Sequence, residues 1–196
     1  MNHSVIALAA AVVAPALAAA GEANVATPLS FEGVELGTTE AAWRSLKPPG
    51  PTPEHARRAC SDDPNAAAAG LKPDGLPSGA VLCGMVDIYG RYRLPVTFRW
   101  KQRYSVDRLR FVFQHGDLSQ IRAVLPDDAF DALMADFKQA YGAPSETLRD
   151  SVRTEIGKLP RLTETWSLPQ GRIELIDPAT PGKLSVRLTA RTADSS

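Results

Sequence analysis

The sequence carries no net charge, only two cysteines, three histidines and a single long apolar run, and each shortage closes a door. Lys and Arg together number 22, as do Asp and Glu, so bulk charge does not make the chain a polyanion binder, although local asymmetry remains open. No Gly-x-Ser-x-Gly nucleophile elbow occurs, and neither does a glycine-rich phosphate loop, an EF-hand loop or a zinc-type cysteine pair. No catalytic residue, metal site or cofactor is therefore expected. Charged residues make up 22% of the chain against 44% hydrophobic ones, which places it among folded globular proteins and not among disordered ones.

The one apolar run lies at the start. Val5 to Ala20 holds no charge and is broken only by Pro15, and it ends in the small-x-small patterns Ala16-Leu17-Ala18 and Ala18-Ala19-Ala20 before Gly21-Glu22. This is the layout of a cleavable export signal over residues 1–20, although Met1-Asn2-His3-Ser4 supplies no Lys or Arg. About sixteen apolar residues are too few for a membrane span, so no transmembrane helix is expected after cleavage. A linker over 21–30, a domain over 31–190 and a flexible tail over 191–196 would follow. Roughly 175 residues remain, enough for one domain or two small halves around a common core, here 31–125 and 126–190.

The cysteines agree with export. Cys60 and Cys83 are the only pair, and outside the cytoplasm a pair is the minimal disulfide set. The rival is two buried thiols. A bridge would close a loop rich in Ala, Pro and Gly that has little of its own to bury.

Hydrophobic period supplies the elements. Leu29, Phe31, Val34 and Leu36 suggest an extended lead-in, and Thr38 or Thr39 opens a short helix carrying Trp43 and Leu46, stopped by Pro48-Pro49-Gly50-Pro51. Leu94, Val96, Phe98 and Trp100 alternate with Thr97, Arg99 and Lys101, and Leu109, Phe111 and Phe113 alternate with Arg108 and Arg110. The two runs read as one antiparallel hairpin with an apolar inner face and a basic outer face. Leu118 to Leu125 reads as a further strand. Phe130, Leu133, Met134, Phe137 and Tyr141 mark an amphipathic helix, capped by Asp127 or Asp128 and ended by Gly142. Leu148, Val152 and Ile156 suit a helix or a solvated strand pair equally. Three alternating strands follow, around Trp166, Leu175 and Val186.

The expected fold is therefore α+β: two helix-plus-antiparallel-meander halves packed as one compact domain. Phe31 to Thr39 with its helix, and Phe130 to Pro144, resemble the helix-plus-meander modules of small exported bacterial proteins such as the β-lactamase inhibitor protein and the outer-membrane assembly lipoproteins. That resemblance covers about a quarter of the chain and implies binding to another protein. It transfers no functional residue, and the lipid-attachment cysteine of the lipoproteins is missing.

One stretch stands out chemically. Seven basic residues from Arg91 to Arg110 face a single acid, Asp107, with Tyr89, Tyr92, Trp100 and Tyr104 interleaved. In the expected hairpin Arg99, Lys101, Arg108 and Arg110 converge on one outward face, where like charges need an anion or an acidic neighbour. The bland alternative is that Glu155, Glu164 or Glu174 covers them. The expectation is an exported, non-enzymatic binding protein, periplasmic or secreted, whose partner is an envelope protein or an anionic envelope component. Nucleic acid is excluded by compartment. The competing reading is a small extracytoplasmic hydrolase whose acids and His115 meet only in three dimensions.

Overall fold

The computed structural model describes residues 29–47, 55–64, 66–89, 92–101, 103–155 and 157–191; side chains at 88–89 and 92–95 fall outside the description. The expected export signal, most of the linker, the proline stop at 48–51 and the end of the tail lie outside the described residues. So do the side chains of Tyr89, Arg91, Tyr92 and Arg93.

The chain opens with a miniature hairpin, β1 (Ser30–Phe31) and β2 (Val34–Glu35), turned by Glu32 and Gly33 at positive φ. Helix α1 (Glu40–Ser45) follows, with the Thr39 hydroxyl accepting the Ala42 N–H at 3.2 Å. Next come β3 (Ala56–Cys60), β4 (Val81–Tyr89) and β5 (Tyr92–Pro95), then the short β6 (Phe98–Trp100) and β7 (Tyr104–Val106). The longer β8 (Arg108–Gln114) and β9 (Asp117–Pro126) meet through His115 and Gly116, both at positive φ, as a two-residue type I′ hairpin requires. Helix α2 (Phe130–Tyr141) leads to β10 (Glu146–Thr154), β11 (Gly157–Leu168), β12 (Gly171–Thr180) and β13 (Lys183–Ala190).

Nine of these strands form one antiparallel sheet in the order β10-β11-β12-β13-β9-β8-β4-β3, with β5 paired to the second part of β4. The α+β expectation of two helix-plus-meander halves is thereby overturned. The protein is nearly all β, one sheet runs through both expected halves, and β9 pairs directly with β13. Among the described residues only α2 is a helix of any length; α1 is six residues, and the ambiguous stretch from Ser145 is the β10–β11 strand pair. Amphipathic spacing over so few residues sets a face but does not supply a helical layer.

The inner face of the sheet is the core. Leu109, Phe111, Ile121, Ala123, Trp166, Ile173, Leu175, Val186 and Leu188 are all buried there. Trp43 of α1 packs 5.1 Å from Phe111, and Phe137 of α2 meets Trp166 edge-on at 5.4 Å. Two local expectations also need correction. Residues 127–129 form a 3-10 turn and α2 begins after Ala129 with no side-chain cap, so neither Asp127 nor Asp128 caps it. The 94–101 run does not pair with 109–113: β6 pairs with β7 through a tight turn at Lys101, and Trp100 lies 6.0 Å from Phe137 of α2. At Asp107, whose N–H donates to the Val124 carbonyl at 2.9 Å, the chain enters the main sheet.

Candidate functional site

Because side chains alternate across a strand, the register that buries Leu109 and Phe111 turns Arg108 and Arg110 to the other face of the sheet. Register then decides what stands beside them. Arg110 is opposite Arg122 on β9, Arg122 is opposite Arg187 on β13, and Arg187 is opposite Glu174 on β12. Three arginines thus occupy one cross-strand row, a placement that costs stability unless opposite charge answers it. Two residue pairs further along, on the same face, Arg172 on β12 stands opposite Thr189.

The acids answer only one end. Glu174 pairs with both Arg172 and Arg187 at 3.1 Å, and Glu146 reaches Arg172 at 4.0 Å. Arg187 still leaves its buried Nε without a partner. At the other end, no carboxylate pairs with Arg108, Arg110 or Arg122 among the described residues. Arg122 donates from Nε to the Gln120 side-chain carbonyl, and Arg110 donates from Nη1 to its neighbour's carbonyl, Leu109 O, at 3.1 Å. Arg110 is only 7% exposed. Burial, with help from Arg108, brings its pKa down from the usual arginine range to about 10. Burial and the charge of Arg187 likewise lower that of Arg122. These shifts record charges held together and partly dried.

The wall beside Arg110 is the disulfide loop. Cys60 and Cys83 face each other across β3 and β4 and are bridged, as expected of the two cysteines. The enclosed segment folds back so that Ala66, Ala69 and Leu71 cover Leu82, Val86 and Val112 on the outer face. Asp63 accepts the Cys60 N–H at 2.7 Å, and Arg44 of α1 grips Asp62 and Asp63 at 2.8 and 2.9 Å. Glycines make room for the guanidinium: a Cβ at Gly84 would meet Arg110 Nη1 at 2.8 Å, and one at Gly70 would lie 3.8 Å from Nη2.

Of the four basic residues expected on one face, the structure keeps Arg108 and Arg110 together and separates them from Arg99 and Lys101. The latter two belong to the β6–β7 hairpin against α2, where Arg99 is exposed and Lys101 lies 3.6 Å from Asp136. Arg122, Arg172 and Arg187 were not singled out from the sequence. Each occupies an alternate position of an amphipathic strand, but their adjacency depends on β13 pairing with β9 across about sixty residues of chain. Of the proposed neutralising acids, Glu174 does reach arginines. Glu164 is turned inward and accepts from the Thr147 hydroxyl at 2.5 Å.

Other chemistry is thinner. His115 is exposed in its turn. Among the described residues, the groupings of His, Cys, Asp or Glu close enough for a metal draw on Cys60 or Cys83, whose sulfurs are spent in the bridge. A cavity of about 130 Å³ lies under the β1–β2 turn and is rimmed by Lys47 and Arg58. Arg58 already donates to the Leu46 and Lys47 carbonyls, both at 2.9 Å. No helix among the described residues is long and apolar enough to cross a membrane. Comparison with protein-family models, curated proteins and solved structures finds no match to this chain.

Proposed function

We propose that this is an exported binding protein that recognises an anionic component of the cell envelope through the outer face of its sheet. The observation that carries the reading is the register row Arg110–Arg122–Arg187, with Arg108 beside it and no acid answering Arg108, Arg110 or Arg122 among the described residues. Like charges brought this close raise the free energy of the empty protein, and a bound anion removes that penalty. Binding and relief of strain are therefore the same event. The Cys60–Cys83 bridge supports an oxidising compartment. It also fixes the loop that dries Arg110, so export and the site are linked through one covalent bond.

Charge reversal tests the reading. Arg108→Glu with Arg122→Glu should abolish retention of the purified protein on anionic envelope fractions at low salt. Arg161→Glu, at a residue already paired with Asp150, should leave retention near that of the unaltered protein. Equal retention of all three proteins across a salt series would remove the proposal.

A further inference from the structure

We propose that the anionic partner is a linear acidic polysaccharide lying across the strands from Arg110 toward Arg191, an inference that rests on the anion-binding role argued above. The first support is the path. Arg110, Arg122 and Arg187 are register neighbours on β8, β9 and β13, and Arg172 follows diagonally on β12. Neighbouring strands lie about 4.8 Å apart, so arginines stand on four consecutive strands over roughly 14 Å, unanswered at the β8–β9 end and joined by Glu174 at the β12 end. A lone phosphate or sulfate touches one end of such a track. A chain molecule with a negative group on each unit can run from the rim of the disulfide loop, beneath which Arg110 is largely covered, along the more open Arg122, Arg187 and Arg172.

The second support is where the track leads. Beyond Arg172 the face opens into a depression of about 550 Å³ between the β11–β12 turn and the end of β13, bounded by Ser167, Leu168, Gly171, Arg172, Thr189 and Arg191. It is an open trough that two arginines border, suited to a chain passing through and not to an enclosed small molecule.

The third support is what lies between the charges. Gln120 and Thr189 stand opposite each other, already hydrogen-bonded at 3.0 Å, and Ser185 and Thr163 occupy neighbouring outward positions. Amide and hydroxyl groups between arginines match the hydroxyls between the acidic groups of a sugar chain. Among the described residues this face carries no aromatic side chain, so it lacks the stacking platforms on which single-stranded nucleic acid depends.

Calorimetric titration of the protein with oligogalacturonates from dimer to dodecamer tests this, with inorganic phosphate, oligo-dT and phosphatidylglycerol vesicles as parallel arms. Affinity should climb with oligomer length until the track is spanned and then level off. Arg172→Gln with Arg191→Gln should weaken the long oligomers about tenfold and leave the dimer unchanged. A dimer that binds as tightly as the dodecamer would overturn the extended track while the anion-binding role survives. Tighter binding of oligo-dT or vesicles than of any oligosaccharide would overturn the assignment to a sugar chain. Failure of every anion, phosphate included, would bring down the underlying role as well.

Discussion

Arg110 shows at the scale of one residue how a site can be built against stability. The residue is nine-tenths covered, its side chain donates to Leu109 O, and its pKa is pushed down to about 10 from the usual arginine range. For a base, a folded-state pKa below the unfolded value means that the charge opposes folding at every pH below about 10, with relief only above it. The shift corresponds to about 3 kcal/mol. Arg110→Met should therefore leave the protein at least as stable in urea as the unaltered chain, while anion binding falls. Lower stability together with unchanged binding would refute this account of the residue. Gly84→Ala should act in the opposite sense, since the new methyl meets Arg110 Nη1 at 2.8 Å and Leu109 O at 3.2 Å. A loss of about 1–3 kcal/mol is expected in equilibrium unfolding. Asp177 gives a pH test. Burial, and then Asp127 and Asp131, raise its pKa, so its ionised form opposes folding once pH passes the folded-state value. Asp177→Asn should raise the melting temperature at neutral pH, and the advantage should fade as pH falls through the carboxylate range. The outward placement of Arg108 and Arg110 was legible from alternation with Leu109, Phe111 and Phe113. Arg99 and Lys101 show the same alternation, and nothing local distinguishes a strand of the main sheet from one docked on a helix.

Among the elements, the disulfide loop is the one that least supports itself. Its buried apolar contribution is Ala66, Ala69 and Leu71, with Leu76 and Ala80 half-buried beside them, and the Cys60–Cys83 bridge closes it over a separation of 23 residues. Replacing both cysteines by alanine should cost about 3 kcal/mol by the chain-entropy argument, measured as a lower urea midpoint. Because the same loop dries Arg110, the double variant should also bind anions less tightly. Helix α2 works differently, holding the inner face closed through Phe137 against Trp166 and Trp100. Phe137→Ala should destabilise by about 3–5 kcal/mol. The α2 stripe, the β9 strand and the three closing strands could all be read from period and turn residues, because each is long enough for its pattern to repeat. The β6–β7 hairpin could not. Three residues contain too few alternations to reveal a partner, and Phe98 and Trp100 look alike whether they face a sheet or a helix.

Among the described residues the molecule is built on one large sheet with two unlike faces. The inner face is apolar and covered by α1, α2 and the small hairpins, while the outer face carries the arginine row and is covered only at its β4–β8 end, by the disulfide loop. A neutral chain hides this polarity completely, since 22 basic and 22 acidic residues cancel in composition and separate only in space. Fold class was misread for a related reason. Two helical stretches, each followed by alternating strands, suggest two helix-plus-meander halves, whereas long-range pairing of β9 with β13 makes a single sheet that runs through both. In the proposed role, the outer face of this sheet binds an anion. That role is tested most directly by NMR titration of the protein with an acidic oligosaccharide, following backbone amides and arginine side chains. Shifts should cluster on Arg108, Arg110, Arg122 and Arg187 and spread toward Arg172, with the β6–β7 hairpin silent. Shifts centred on Arg99 and Lys101, or scattered without pattern over the surface, would contradict it.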